Sequence, residues 1–195
     1  MLLGLLGALV GAIAAVGAQF VNSRSSLKLE AQKQLRTDVA IATRSLLKLL
    51  GAQQWLVWKA LHDPKFVTRA DVDAYEQQAQ ASLNVLFGDI GVLSATWPDV
   101  YVRYSPLSER LLGFDERIGL ATIEFRSHPA GGVDLLSAIA PEILPYHYFV
   151  FEQVAHVVEG RVVPEYNYLD FPGGVEVTLT KEGTQEPPSE EPRPR

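Results

Sequence analysis

Residues 35–61 read LRTDVAIATRSLLKLLGAQQWLVWKAL, and the spacing of their apolar side chains sets the class of fold. Leu35, Val39, Ala42, Leu46, Leu49, Leu56 and Ala60 follow intervals of four and three, so they share one face of a helix. Gln53 holds the one polar position of that heptad seam. Leu47, Leu50, Val57 and Leu61 widen the stripe beyond what a two-stranded coiled coil needs. The pattern therefore predicts a helix packed into a bundle, with Trp55 and Trp58 adding bulk on neighbouring faces. Gly51 is its weakest point, and His62-Asp63-Pro64 ends it, because a residue before proline is driven out of the α region.

Upstream, no breaker separates this helix from residues 1–23, MLLGLLGALVGAIAAVGAQFVNS, which carry no charged side chain. A helix of about 20 apolar residues, at ~1.5 Å each, crosses a ~30 Å hydrocarbon core. The segment is thus read as a transmembrane anchor continuing into a juxtamembrane amphipathic helix over residues 24–62. A cleavable signal peptide is the rival reading. Val16-x-Ala18 resembles a cleavage site, which would release a secreted domain after Ala18, but no Lys or Arg precedes the apolar run. Within the anchor, Gly4, Ala8 and Ala12, and likewise Gly7, Gly11 and Ala15, recur at intervals of four. Such a smooth face lets two membrane helices approach closely, which makes self-association an expectation.

Arg24, Lys28, Lys33 and Arg36 follow the span, against Glu30 as the one acidic residue among them. Positive-inside bias then places the N-terminus outside the cell membrane and the remaining chain in the cytoplasm, with these four cations near anionic headgroups. The charge of the chain is divided. From Arg24 to Lys65 there are eight basic and three acidic residues; from Phe66 onward there are nine and twenty; the whole chain carries a net charge of −6. So acidic a distal part argues against nucleic acid as a partner, since phosphate neutralisation needs clustered cations.

With 195 residues, the chain holds enough for one helical domain beyond the anchor. A second helix is expected to start at Thr68, capped with Asp71. Its inner face is Val72, Tyr75, Ala79, Leu83, Leu86, Ile90, Leu93 and Trp97, and Pro98 closes it. Val100–Tyr104 alternates like a short strand or connector, Ser105-Pro106 signals a helix start, and Gly113 a stop. Residues 115–126 satisfy both periods, and helix is the preferred reading. A loop at 128–132, a short helix at 133–140 stopped by Pro141, and a helix from Leu144 or Pro145 to Glu159 with Gly160 as its stop come next. Residues 166–180 read as a small β-hairpin around Pro172-Gly-Gly174, and residues 181–195 as a disordered tail. The fold class is therefore mostly α: an anchor, then residues 63–180 completing the bundle, with a terminal hairpin and tail.

Nucleophile-elbow, phosphate-loop, dinucleotide and HExxH signatures are absent, and without cysteine there is no thiolate catalysis, zinc ribbon or iron–sulfur centre. No cofactor is expected. Glu124 with His128 and Glu152 with His156 stand four apart, a spacing that can aim two ligands at one metal, with His147 as a further candidate. The Glu-x-x-His spacing of di-iron bundles does not occur, and ordinary surface i,i+4 pairs explain the same residues. His62-Asp63 beside a proline reads as a turn. Tyr146, Tyr148, Phe149 and Phe151 form the densest aromatic run, suited either to core packing or to docking a protein partner. The leading expectation is a single-pass membrane protein with a helical interaction or scaffolding domain, self-associating through the anchor or the Leu35–Leu56 seam. A metal- or small-ligand-binding bundle, catalytic or sensory, is the alternative.

Overall fold

The computed structural model describes the backbone of residues 2–171 and the side chains of residues 26–171. Five α helices occur among them: α1 Leu2–His62, α2 Arg69–Thr96, α3 Pro98–Ser127, α4 Pro129–Ile143 and α5 Tyr146–Val158, with 3-10 turns at Pro64–Phe66 and Tyr168–Asp170. They form an up-down-up-down bundle in which α4 and α5 together make the fourth rod. Side-chain bonds fix the directions. Trp97 Nε1 donates to Asp38 Oδ2 at 2.9 Å at one end of the α1–α2 pair, and Lys59 Nζ reaches Asp71 Oδ2 at 2.6 Å at the other. Arg126, near the end of α3, bonds Asp73 and Glu76 near the start of α2, while Trp97 alone joins the other ends of the two helices, which sets α3 antiparallel to α2. Arg117 with Glu142, and the Tyr146 hydroxyl on Leu107 O, run the fourth rod back along α3.

The heptad seam is the spine of the core. Val39, Ala42, Leu46, Leu49, Leu56 and Ala60 are all buried, and so are Leu50 and Val57 on the widened stripe. Residues 26–34 of the same helix are exposed, so α1 runs well beyond the bundle. At ~1.5 Å per residue, 61 residues make a rod of about 90 Å, of which the buried part from Val39 to Ala60 accounts for about a third. The seam is thus covered within the chain by α2 to α5 and is not an open surface for a second copy.

Local chemistry explains the helix ends. Thr68 and Asp71 form a capping box: the Thr68 hydroxyl accepts from Asp71 N at 3.3 Å while Asp71 Oδ2 accepts from Thr68 N at 2.7 Å. Gly160 has φ of +83°, and Arg161 N bonds His156 O at 2.8 Å, a Schellman stop for α5. At Gly132 a Cβ would stand 2.5 Å from Phe125 N and Cα, so only glycine lets α4 cross α3 this closely.

Several expected boundaries are corrected. α3 is one 30-residue helix that begins at Pro98 and runs through Pro106 and Gly113, so Val100–Tyr104 is helical and Ser105-Pro106 starts nothing. The carbonyl that Pro106 leaves without its usual partner belongs to Val102, and it accepts from the Ser105 hydroxyl at 3.5 Å, while Tyr104, Leu107 and Leu111 bury their side chains around it. Residues 129–132 are the first turn of α4, with Pro129 at the position where a missing N–H costs nothing, and α4 continues through Pro141. Between α4 and α5, the Gln54 amide caps the freed carbonyls of Ile143 and Leu144 at 2.9 Å each. Residues 166–171 hold a 3-10 turn where the first hairpin strand was expected, and no strand occurs among the described residues. The rest of that hairpin and the tail at 181–195 lie outside the described residues.

Candidate functional site

The polar position in the heptad seam lies at the centre of the most developed polar site. Gln53 is fully buried. Its Nε2 donates to Leu111 O at 3.4 Å and to Asp115 Oδ1 at 3.3 Å. Because both neighbours are acceptors, the amide orientation is determined, and Oε1 is left buried without a donor. The Tyr75 hydroxyl donates to the same Asp115 Oδ1 at 2.8 Å. Burial, with the Asp115 charge and hydrogen bond adding to it, holds the Tyr75 pKa far above the ordinary tyrosine range, so the phenol stays a donor. No salt bridge reaches Asp115 among the described residues.

Asp115 and Tyr75 line a groove of about 400 Å³ between α2 and α3, with Ala79, Gly119 and Thr122 as its small-residue walls. A Cβ at Gly119 would meet nothing within 4 Å, so the groove is open there. Arg126 lies at the rim and bridges the helices by bonding Glu76 Oε2 at 2.6 Å and Asp73 Oδ1 at 3.1 Å. Two carboxylates thus neutralise the one cation lining the groove, while the carboxylate at Asp115 has only neutral donors. Chemically the groove offers the Asp115 carboxylate, whose Oδ1 accepts from Tyr75 and Gln53.

The five residues considered as metal ligands are not brought together. Glu124 Oε1 meets His128 Nδ1 at 3.1 Å, where α3 gives way to α4, with His128 76 % exposed. His147 Nδ1 lies 3.1 Å from Gln54 Nε2 and 2.9 Å from Leu144 O. Glu152 is exposed, and His156 Nδ1 lies 2.9 Å from Gln153 Oε1. Among the described residues no group of three or more His, Cys, Asp or Glu side chains is placed to hold a metal ion.

The aromatic run divides. Tyr146 and Phe149 are core, with the Tyr146 ring edge-on to Phe114 and Tyr166, and Phe149 edge-on to Phe171. Tyr148 and Phe151 are 45 % and 60 % exposed beside the His147 ring. Trp55 and Trp58 on α1 are similarly exposed, the latter stacked on His62 at 4.7 Å. His62 Nδ1 is 3.0 Å from Trp58 O, consistent with its place at a helix end. Lys28, Lys33 and Arg36 are exposed along the free stretch of α1. The side chains of Arg24 and of Gly4, Gly7, Ala8, Gly11, Ala12 and Ala15 lie outside the described ones. Among the described residues no helix is long and apolar enough to cross a membrane, and the anchor expected at residues 1–23 lies outside the residues whose side chains are described.

The sequence shows Gln53 as the polar position of the seam and Tyr75 as an inner-face residue, but nothing in their spacing joins them to Asp115. The available signal was a polar side chain at a core heptad position, which must find a partner on a facing helix. The chain matches no protein-family model, no curated protein and no solved structure.

Proposed function

We propose that this chain is a single-pass, membrane-tethered interaction module whose helical bundle stands in the cytoplasm. The observation supporting it is the continuity of α1, since one helix from Leu2 to His62 joins the uncharged N-terminal stretch to the core of the bundle. A helix continuous through the membrane surface transmits position and rotation to the domain it carries, as a flexible linker would not. The exposed cations at Lys28, Lys33 and Arg36 suit a headgroup layer of anionic lipid, each contributing about 1 kcal/mol when near the surface. Self-association is assigned to the small-residue face of residues 4–15, because the Leu35–Leu56 seam is already occupied. The exposed Trp55, Trp58, Tyr148 and Phe151 are the side chains best suited to a protein partner.

Alkaline extraction of membranes carrying the full chain tests the tether. Wild type stays in the membrane pellet. Val10→Lys with Ile13→Lys, which adds about 5–7 kcal/mol to insertion at the centre of a span, moves the chain to the supernatant. Release of the wild type under the same conditions overturns the reading.

A further inference from the structure

We propose that the outer face shared by α1 and α2 docks an acidic amphipathic helix of a partner protein. This rests on the reading of the chain as an interaction module, and not on its membrane tether. Register builds the face. The Ser45 hydroxyl donates to Asp89 Oδ2 and Lys59 Nζ to Asp71 Oδ2, which fixes how the two antiparallel helices stand against each other. One step outward from that line, Ile41, Lys48 and Trp55 recur at seven-residue intervals on α1, and Gln78, Val85 and Val92 do so on α2. Ile41 is thus level with Val92, Lys48 with Val85 and Trp55 with Gln78. Ile41, Trp55, Val85 and Val92 are between 44 % and 56 % exposed, so the two rows make an apolar strip open to solvent. At ~1.5 Å per residue it runs about 21 Å along α1. Two such rows at heptad spacing form the seat into which a third helix packs. Gly88 stands between Val85 and Val92, and a Cβ there would meet nothing within 4 Å. A mid-helix glycine costs about 1 kcal/mol, and crowding inside the chain does not account for it; a helix lying close over the strip does.

Charge selects the partner. From Val39 to His62, α1 carries Arg44, Lys48 and Lys59 and no carboxylate. Lys59 is taken by Asp71, whereas Arg44 and Lys48 meet no carboxylate among the described residues. Between Gln77 and Thr96, α2 has Asp89 as its one charged residue, and Ser45 bonds it. The strip is therefore positive on a chain whose net charge is −6. A second copy docked by two-fold symmetry would bring these cations against their own counterparts. Carboxylates flanking an apolar row would instead meet both Arg44 and Lys48.

The test uses a fluorescein-labelled three-heptad helix with Leu at its a and d positions and Glu at e and g, and its twin with Lys in place of Glu. Binding to the full chain in phosphatidylcholine nanodiscs is read by fluorescence anisotropy against empty nanodiscs. The glutamate helix is expected to bind saturably, and the lysine helix at least about tenfold more weakly. Arg44→Glu with Lys48→Glu inverts that preference. Val85→Arg adds a cation but obstructs the strip, and weakens the glutamate helix at least about tenfold, where charge attraction alone would strengthen it. Leu120→Arg, the same kind of change at an exposed position of α3, leaves binding as in wild type. The proposal is overturned if wild type shows no saturable binding, if the lysine helix binds as well, or if variants with wild-type circular dichroism keep the wild-type preference and affinity. Self-association of the chain that Val85→Arg abolishes would assign the face to a second copy and overturn it too. Binding that survives Val85→Arg but is lost with Phe151→Ala overturns this site and leaves the interaction module standing.

Discussion

Replacing Gly132 by alanine tests the close crossing of α3 and α4. The added Cβ would stand 2.5 Å from Phe125 N, Cα and Cβ, where ordinary contact begins near 3.4 Å. The obstacle includes backbone, so no side-chain rotation relieves it, and the two helices must separate by about 1 Å. Overpacking of this kind costs about 1–3 kcal/mol, and an unyielding neighbour puts this site at about 3. Alanine recovers about 1 kcal/mol of helix propensity over glycine, leaving a net loss of about 2 kcal/mol. For a domain of this size that lowers Tm by about 4–8 °C. The assay is thermal unfolding of the full chain in detergent, followed by circular dichroism. Gly113→Ala is the control: its Cβ meets nothing within 4 Å, and it is expected to raise Tm by about 2–4 °C. A Gly132→Ala chain that melts at or above wild type refutes the crossing.

Other perturbations have equally definite outcomes. Burial alone would raise the Asp71 carboxyl, but hydrogen bonds from Lys59 and Thr68, with the Lys59 charge, together hold it below its ordinary 3.8. Its contribution is therefore fully present above pH 3.8 and lost as pH falls through the lower folded value, and Asp71→Asn flattens that acid limb of the stability profile. Tyr146→Phe removes a 2.8 Å bond to Leu107 O and costs about 1 kcal/mol by chemical denaturation. Tyr104→Phe removes a buried hydroxyl whose side-chain contact is with Thr43, and is expected to cost no more than about 1.5 kcal/mol in the same experiment. Leu46→Ala, at a fully buried seam position, is expected to cost about 2–5 kcal/mol in the same experiment.

The helices written in strong periodicity were legible in the sequence, and those interrupted by proline were not. The 35–61 seam and the Thr68 cap carried their own signals, and Gly160 marked its stop because φ of +83° suits glycine. Pro106, Gly113 and Pro141 mislead because each is a breaker by local propensity, whereas Leu107, Leu111, Phe114, Ile139 and Ala140 bury enough surface to carry the helices through. The break that does occur, at Leu144 and Pro145, is stabilised by Gln54 from a helix 89 residues earlier, which no local window contains. The groove was hidden for the same reason. Gln53, Tyr75 and Asp115 stand on three helices, and only the up-down-up order brings them together.

Topology and cleavage together test the central claim most directly. The measurement combines the intact mass of the membrane-extracted chain with protease access to a tag after Arg195, in sealed inner-membrane vesicles and in spheroplasts. The tethered module predicts an uncut chain whose tag is removed only from the cytoplasmic side. A chain lacking residues 1–18, or a tag cut from the outside of spheroplasts, would contradict it and place the bundle beyond the membrane.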